Sequence, residues 1–190
     1  MASVPLPPEP PASAGYDLLA IALHWAMAAL LLALLALGWY MVSLPDAGYD
    51  TRKITLILAH KAIGMLALLL VAVRLGWRLA RALPPLAAGL PEWQQVGARL
   101  AHLVFYALMF ALPLTGWIMS SAGGYPVPFF DWFDMPDIVG LNDWLFRLSI
   151  VVHRWLAYAL GALLAVHAGA ALRHHFVLRD DTLRRMLPRF

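Results

Sequence analysis

Residues 145–172 read LFRLSIVVHRWLAYALGALLAVHAGAAL, a stretch long and apolar enough to cross a lipid bilayer as a helix. The hydrocarbon core is roughly 30 Å thick, so a spanning helix needs about 20 mostly apolar residues. The stretch carries His153 and His167, fourteen residues apart. At about 1.5 Å and about 100° per residue, the two imidazoles should lie about 21 Å apart along the axis and within roughly 40° of one face. One helix therefore presents an imidazole to the same side in each leaflet.

Three further stretches are also long and apolar enough to cross a bilayer as helices. Residues 18–42, 54–73 and 100–119 are runs of mostly Leu, Ala, Ile and Val, and each run contains a histidine. Pro113 interrupts the third run and should kink it, because proline removes one backbone hydrogen bond. The chain is 62% hydrophobic and 13% charged over 190 residues, whereas soluble domains are about half apolar. The sequence therefore predicts an all-α membrane protein, a bundle of four transmembrane helices.

Cysteine is absent from the chain. Disulfides, thiolate zinc sites, cysteine-ligated iron–sulfur clusters and cysteine nucleophiles are therefore excluded. Any metal chemistry must depend on histidine.

The basic residues predict the orientation of the bundle. Arginine accumulates between the second and third spans and after Arg173, whereas residues 120–142 hold three aspartates and no basic residue. Because lysine and arginine favour the cytoplasmic side, both termini are predicted to be cytoplasmic, although Arg52 and Lys53 fall on the outer side. The predicted divisions are a disordered tail over 1–15, a transmembrane domain over 16–176 and a basic cytoplasmic tail over 177–190.

Histidines in the first and fourth spans should share the inner level. His24 lies seven residues after Asp17, at the inner start of the first span, and His167 lies six before Arg173, at the inner end of the fourth. His102 follows Arg99 by only three residues and should lie shallower, near the inner interface. An imidazole within hydrocarbon is costly, so it marks a functional site or a bond to a neighbouring helix.

The outer level has its own pair. His60 lies seven residues after Lys53, and His153 lies six after Arg147. Two facing imidazoles inside a bundle make a site for a low-spin iron porphyrin with both axial positions filled. Zinc would be left with incomplete coordination, and a proton relay would favour acidic residues, which the spans lack. The remaining alternative is that the histidines serve only as hydrogen-bonding groups between helices.

Basic residues near these levels could neutralise haem propionates. Arg74 lies fourteen residues after His60, at the inner level of the second span. The alternative is that Arg74 is a charge at a helix end that extends to the interface. The candidates at the outer level are Arg52, Lys53, Lys61 and Arg154.

Four motifs together resemble the bacterial cytochrome b561 family. They are ALHW at 22–25, LAHKAIG at 58–64, ALPLTGWIMSSAGGYPVPFF at 111–130 and HRWLAYALGALLAVHAGAALRHHF at 153–176. The resemblance implies a four-helix membrane cytochrome with two haems b, each bound by two histidines. It implies that His24 and His167 bind the cytoplasmic-side haem and that His60 and His153 bind the periplasmic-side haem, so these four histidines are also the iron ligands.

Short members of the family are similar to superoxide oxidase, so the resemblance also implies an activity for this chain. The expected activity is oxidation of periplasmic superoxide and reduction of ubiquinone in the bacterial inner membrane, with His102 and Arg74 near the quinone. The alternative is a membrane subunit that carries electrons between a partner dehydrogenase or hydrogenase and the quinone pool. The expected partners are lipid, quinone and superoxide, with no nucleic acid; a redox partner protein and a homodimer are both compatible with the sequence.

Overall fold

Four long helices dominate the computed structural model, which describes residues 15–45, 50–81 and 91–187. They are α1 (Leu18–Ser43), α2 (Thr51–Ala80), α3 (Glu92–Ala122) and α4 (Asp143–Arg173). All four are long and apolar enough to cross a membrane, which confirms the predicted spans. The predicted tail over 1–15 lies outside the described residues except for Gly15.

The helices form an antiparallel bundle. Helix α2 packs against α1 and α3, and α3 packs against α4. Helices α4 and α1 meet where a Cβ added at Gly161 would lie 3.8 Å from the Trp39 ring. We call the end of the bundle that carries the start of α1 and the end of α4 the terminal end, and the opposite end the hairpin end.

Side chains cap three helix starts. The Asp17 carboxylate accepts a hydrogen bond from the Ala20 amide, Asp50 accepts from the amides of Arg52 and Lys53, and the Asn142 side chain accepts from the Leu145 amide. Such caps satisfy amides that have no partner within the first helical turn. Polar residues thus begin the helices where the apolar runs end.

A short hairpin joins α3 to α4. Strand β1 (Pro128–Phe129) pairs with β2 (Phe133–Asp134) in antiparallel register. Phe130 turns the chain with a φ of 54°, in the left-handed region that bulky residues rarely adopt. Val127, at the base of the hairpin, is buried at 3% exposure. The structure thus gives this segment a defined turn at the hairpin of residues 128–134.

The buried core lies between the two histidine levels. It comprises Met27, Leu31, Val71, Phe105, Leu108, Met109 and Leu160. Leu160 is seven residues from both His153 and His167 on α4. Large apolar side chains such as Leu32, Leu69 and Val166 remain exposed on the outside of the helices, as expected of a surface that contacts lipid.

After α4 the chain turns back toward α1. A π-helical turn covers His174–Leu178 and a 3-10 turn covers Arg184–Met186. The Trp25 indole donates a 2.6 Å hydrogen bond to the Met186 carbonyl. The sequence predicted only a basic tail here, because the contact with α1 depends on packing between distant segments.

Asp180 holds this returning segment. Its carboxylate accepts from His174 Nδ1 at 2.5 Å and from the Thr182 amide at 2.9 Å. Partial burial raises the pKa of Asp180, but these hydrogen bonds outweigh it and lower the pKa from 3.8 to about 2. A carboxyl group whose pKa is depressed on folding stabilises the fold above its unfolded pKa, and this contribution is lost as pH falls through its folded pKa. The segment should therefore lose protection between about pH 4 and about pH 2.

The same linkage predicts the effect of Asp180→Asn at neutral pH. The variant removes the charged acceptor and should speed hydrogen exchange across residues 181–187, measured as protection factors by mass spectrometry. Asp181→Asn is the matched control, because Asp181 pairs with the exposed Arg184 at 3.7 Å and exposed pairs contribute little. Equal protection in the two variants would show that Asp180 does not hold the segment.

Candidate functional site

His60 and His153 face each other at the hairpin end. Their ring centroids lie 6.3 Å apart, and both rings line a cavity of about 490 Å³. The cavity is walled mainly by apolar side chains from all four helices and by Val127 of the hairpin. Its size is within the range of cofactor sites, about 300–1,000 Å³.

Three imidazoles meet at the terminal end. His24 and His167 have ring centroids 6.2 Å apart, and His102 also lies 6.2 Å from His167. The Phe105 ring packs edge-on against His167 at 5.2 Å. The predicted pair is therefore brought together, and His102 joins it more closely than the shallow position predicted from sequence suggests.

The ring separations suit a metal held between two imidazoles. With metal–nitrogen bonds of about 2 Å and ring centres about 1 Å beyond each nitrogen, centroids about 6 Å apart would leave room for one metal ion between the two rings. Within residues 15–45, 50–81 and 91–187, no three His, Cys, Asp or Glu side chains form a group that could hold a metal ion. Each pair can thus supply two ligands, and a porphyrin would supply the other four.

Two glycines stand beside the His60–His153 pair. A Cβ added at Gly38 would lie 3.5 Å from His60 Cε1, and one added at Gly116 would lie 3.4 Å from His153 Cε1. Both glycines line the cavity. A methyl group at either position would touch the neighbouring ring, so the two glycines leave this space beside the rings free.

The Nδ1 atoms of His24 and His153 have different hydrogen-bond neighbours. Arg74 Nη2 lies 3.0 Å from His24 Nδ1. Arginine can only donate, so Nδ1 accepts and the ring hydrogen of a neutral His24 lies on Nε2. At the other end, Thr115 Oγ1 lies 3.0 Å from His153 Nδ1.

A second cavity of about 340 Å³ opens at the terminal end. His102, Arg74 and Arg78 line it, together with Tyr106 from α3 and Met186 from the returning segment. Trp77, another lining residue, donates to both Asp17 oxygens at 3.0 and 3.1 Å. This is a cationic cavity with an aromatic wall beside the three imidazoles.

The four cations predicted near the outer histidines separate into two groups. Lys61 and Arg154 line the cavity of the His60–His153 pair. Lys61 Nζ donates to the Pro126 carbonyl at 2.9 Å. By contrast, Arg52 donates to the Tyr40 hydroxyl and Lys53 to the Leu44 carbonyl at 3.0 Å, so both cations are bound to the segment that ends α1.

Thr115 and Gly116 were not singled out from the sequence. Their only signal was position, since they follow Pro113 in the motif ALPLTGW at 111–117. Glycine and threonine are common where membrane helices pack, so their contact with His153 became visible only once α3 was placed against α4.

The fold and site define a class: a multi-pass membrane protein whose helices bring histidines together in pairs at two levels. Comparison with known proteins agrees with this class. The family model described as prokaryotic cytochrome b561 matches residues 15–189. The chain belongs to this family of electron-transfer proteins, and membership implies b-type haem.

Curated relatives cover nearly the whole chain. Cytochrome b561 homolog 2 of Escherichia coli K12 is 34% identical over 172 residues, with 90% of each chain covered. The probable superoxide oxidase CybB of Yersinia pestis is 31% identical over 176 residues, covering 92% of this chain and 96% of that protein. Cytochrome b562 of Cereibacter sphaeroides is 30% identical over 179 residues, covering 91% and 95%.

Proposed function

We propose that this protein carries electrons across the membrane through two haems b, oxidising superoxide at the hairpin end and reducing ubiquinone near the terminal end. One observation carries the proposal: helix α4 contributes His153 and His167 to two imidazole pairs, with centroid separations of 6.3 and 6.2 Å. The likeness to a probable superoxide oxidase supports the choice of substrate.

The residues present fit haem at both levels. His60 and His153 would hold one iron, with Gly38 and Gly116 leaving room beside the rings. His24 and His167 would hold the second iron. Binding there requires the hydrogen bond between Arg74 and His24 to change. Ligation through Nε2 places the ring hydrogen on Nδ1, so Arg74 would have to release that nitrogen and take another acceptor, such as a haem propionate.

Bound haem would supply one-electron chemistry at each level. Each superoxide gives up one electron and leaves as dioxygen, and ubiquinone takes two electrons and two protons to become ubiquinol. Two superoxides are therefore consumed for each quinone. Lys61 and Arg154 would draw the anion toward the cavity at the hairpin end.

The terminal cavity is the proposed site of quinone reduction. His102 and Arg74 line it, and the three imidazoles meet beside it. His102 could pass protons to the quinone, because the imidazole titrates near neutral pH in water. The arginine-rich segments at this end favour the cytoplasmic side of a bacterial inner membrane, and in that orientation the hairpin would lie in the periplasm.

A superoxide pulse tests the proposal. Purified full-length protein is mixed with superoxide in a stopped-flow spectrometer, and reduced-minus-oxidised haem spectra are followed with and without ubiquinone. We expect rapid haem reduction, followed by reoxidation when quinone is present, with two superoxides consumed per quinol. Haems that reduce no faster than superoxide disproportionates would reject superoxide as the donor.

The hairpin favours a second function, electron transfer with a partner protein. Trp132 is 78% exposed and Phe133 is 54% exposed, and Asp131 and Asp134 beside them are also exposed. Exposed aromatic and acidic groups together suit docking of a protein with a basic surface. Haem that stays oxidised after superoxide but is reduced by such a partner would favour this function.

A further inference from the structure

Helix α3 has an irregular point beside the His60–His153 pair. Pro113 has no amide hydrogen, and two residues later the Thr115 hydroxyl lies 2.8 Å from the Leu112 carbonyl. A carbonyl can only accept, so the hydroxyl hydrogen points toward Leu112. The lone pairs of Thr115 Oγ1 are left to accept another hydrogen bond.

The second neighbour of this hydroxyl is His153. Its Nδ1 lies 3.0 Å from Thr115 Oγ1. Because the hydroxyl hydrogen is already donated to Leu112, Nδ1 must carry the ring hydrogen and donate it to Oγ1. A neutral His153 then has its lone pair on Nε2. The Leu112 carbonyl is also a backbone acceptor for His153, so this carbonyl and Thr115 Oγ1 together favour the tautomer in which Nε2 can bind a metal.

Gly116 borders the same ring. A Cβ at this position would lie 3.4 Å from His153 Cε1, so the methyl group of an alanine there would touch the ring edge. Thr115 sets the direction of the ring's hydrogen, and Gly116 leaves the space beside the ring free. Both lie on the helical turn that follows Pro113.

We propose that Thr115 is a positioning residue for His153 that lowers the reduction potential of the haem at the hairpin end. This inference rests on the proposed function, in which His153 is an iron ligand. A hydrogen bond accepted from the distant ring nitrogen makes an imidazole more basic, and a more basic ligand favours ferric over ferrous iron.

At the terminal end, His24 has a different neighbour. Arg74 can only donate to His24 Nδ1, so the neighbour there favours the opposite tautomer. The effect of Thr115 should therefore be confined to one haem, and the other haem serves as an internal reference in the same sample.

The test uses two variants of the full-length protein. Thr115→Val keeps the branched shape and removes the hydroxyl, whereas Thr115→Ser keeps the hydroxyl and removes a methyl group. Redox titration of each haem is the primary readout. The second readout is the rate of haem transfer to excess apomyoglobin. Loss of a residue that hydrogen-bonds to a metal ligand typically weakens metal binding by about 10- to 100-fold.

We expect Thr115→Val to raise the potential of the hairpin-end haem alone and to weaken its retention at least about tenfold. If the variant binds ferric haem tenfold less tightly relative to ferrous haem, the reduction potential rises by about 59 mV, since one electron is transferred. Thr115→Ser should keep the wild-type potential. Equal behaviour of the Val and Ser variants, or equal shifts at both haems, would overturn the inference.

His153→Ala separates this inference from the proposed function. If the hairpin-end haem persists in His153→Ala, the ligand assignment itself is wrong. If that haem is lost in His153→Ala but Thr115→Val leaves its potential unchanged, the ligand assignment survives and only the role of Thr115 fails.

Discussion

Replacing His60 by alanine should reduce the haem content from two per chain to one, and the remaining haem should keep its own spectrum and potential. In the proposed function His60 would supply one of the two protein ligands at the hairpin end, and the buried core separates this level from the other. His24→Ala should give the reciprocal result. Haem content is measured by pyridine haemochrome assay, and the identity of the remaining haem by redox titration.

His102→Ala is the matched control for this prediction. Its ring is as close to His167 as the ring of His24 is, at 6.2 Å, so distance alone does not distinguish them. If His24 is the ligand, His102→Ala should retain both haems. Loss of the terminal-end haem in His102→Ala but not in His24→Ala would reassign the ligand, and loss of the same haem in His60→Ala and His24→Ala would break the two-level scheme.

Neutralising both cations of the hairpin-end cavity should slow haem reduction by superoxide about tenfold or more at low ionic strength. Lys61 is half-buried and held by the Pro126 carbonyl, and its ammonium lies 5.6 Å from the Tyr125 ring centroid. Arg154 lines the same cavity from α4. Together they place positive charge where an anion would enter, so the double variant Lys61→Gln, Arg154→Gln should lose most of the attraction.

Salt provides the internal check on this prediction. The difference between wild type and the double variant should shrink as ionic strength rises, since charges are screened over about 10 Å at 0.1 M salt. Arg52→Gln is the control, because Arg52 donates to Tyr40 at the end of α1. Stopped-flow rates that fall equally in the control, or that do not depend on salt, would show that the cavity cations do not guide superoxide.

The helices were predictable because their apolar length reflects the thickness of the membrane. Their ends were less so. The third span was predicted to start near Leu100, but α3 begins at Glu92. The second was predicted to end near Val73, but α2 continues to Ala80. Helices continue into polar sequence beyond the hydrocarbon, where hydropathy no longer marks them.

The levels of the histidines were also predictable, because rise along a helix is regular. Counting residues from the helix ends placed His24 with His167 and His60 with His153, and the structure brings these rings together. Counting along a helix does not give rotation and packing between helices. The contact of Thr115 with His153, the bond from Arg74 to His24 and the approach of His102 therefore required the structure.

Iron positions test the central claim most directly. Anomalous scattering from crystals of the haem-loaded protein would locate each iron against the side chains. The account predicts two iron peaks, one between His60 and His153 and one between His24 and His167. A single peak, or a terminal-end peak between His102 and His167, would contradict it.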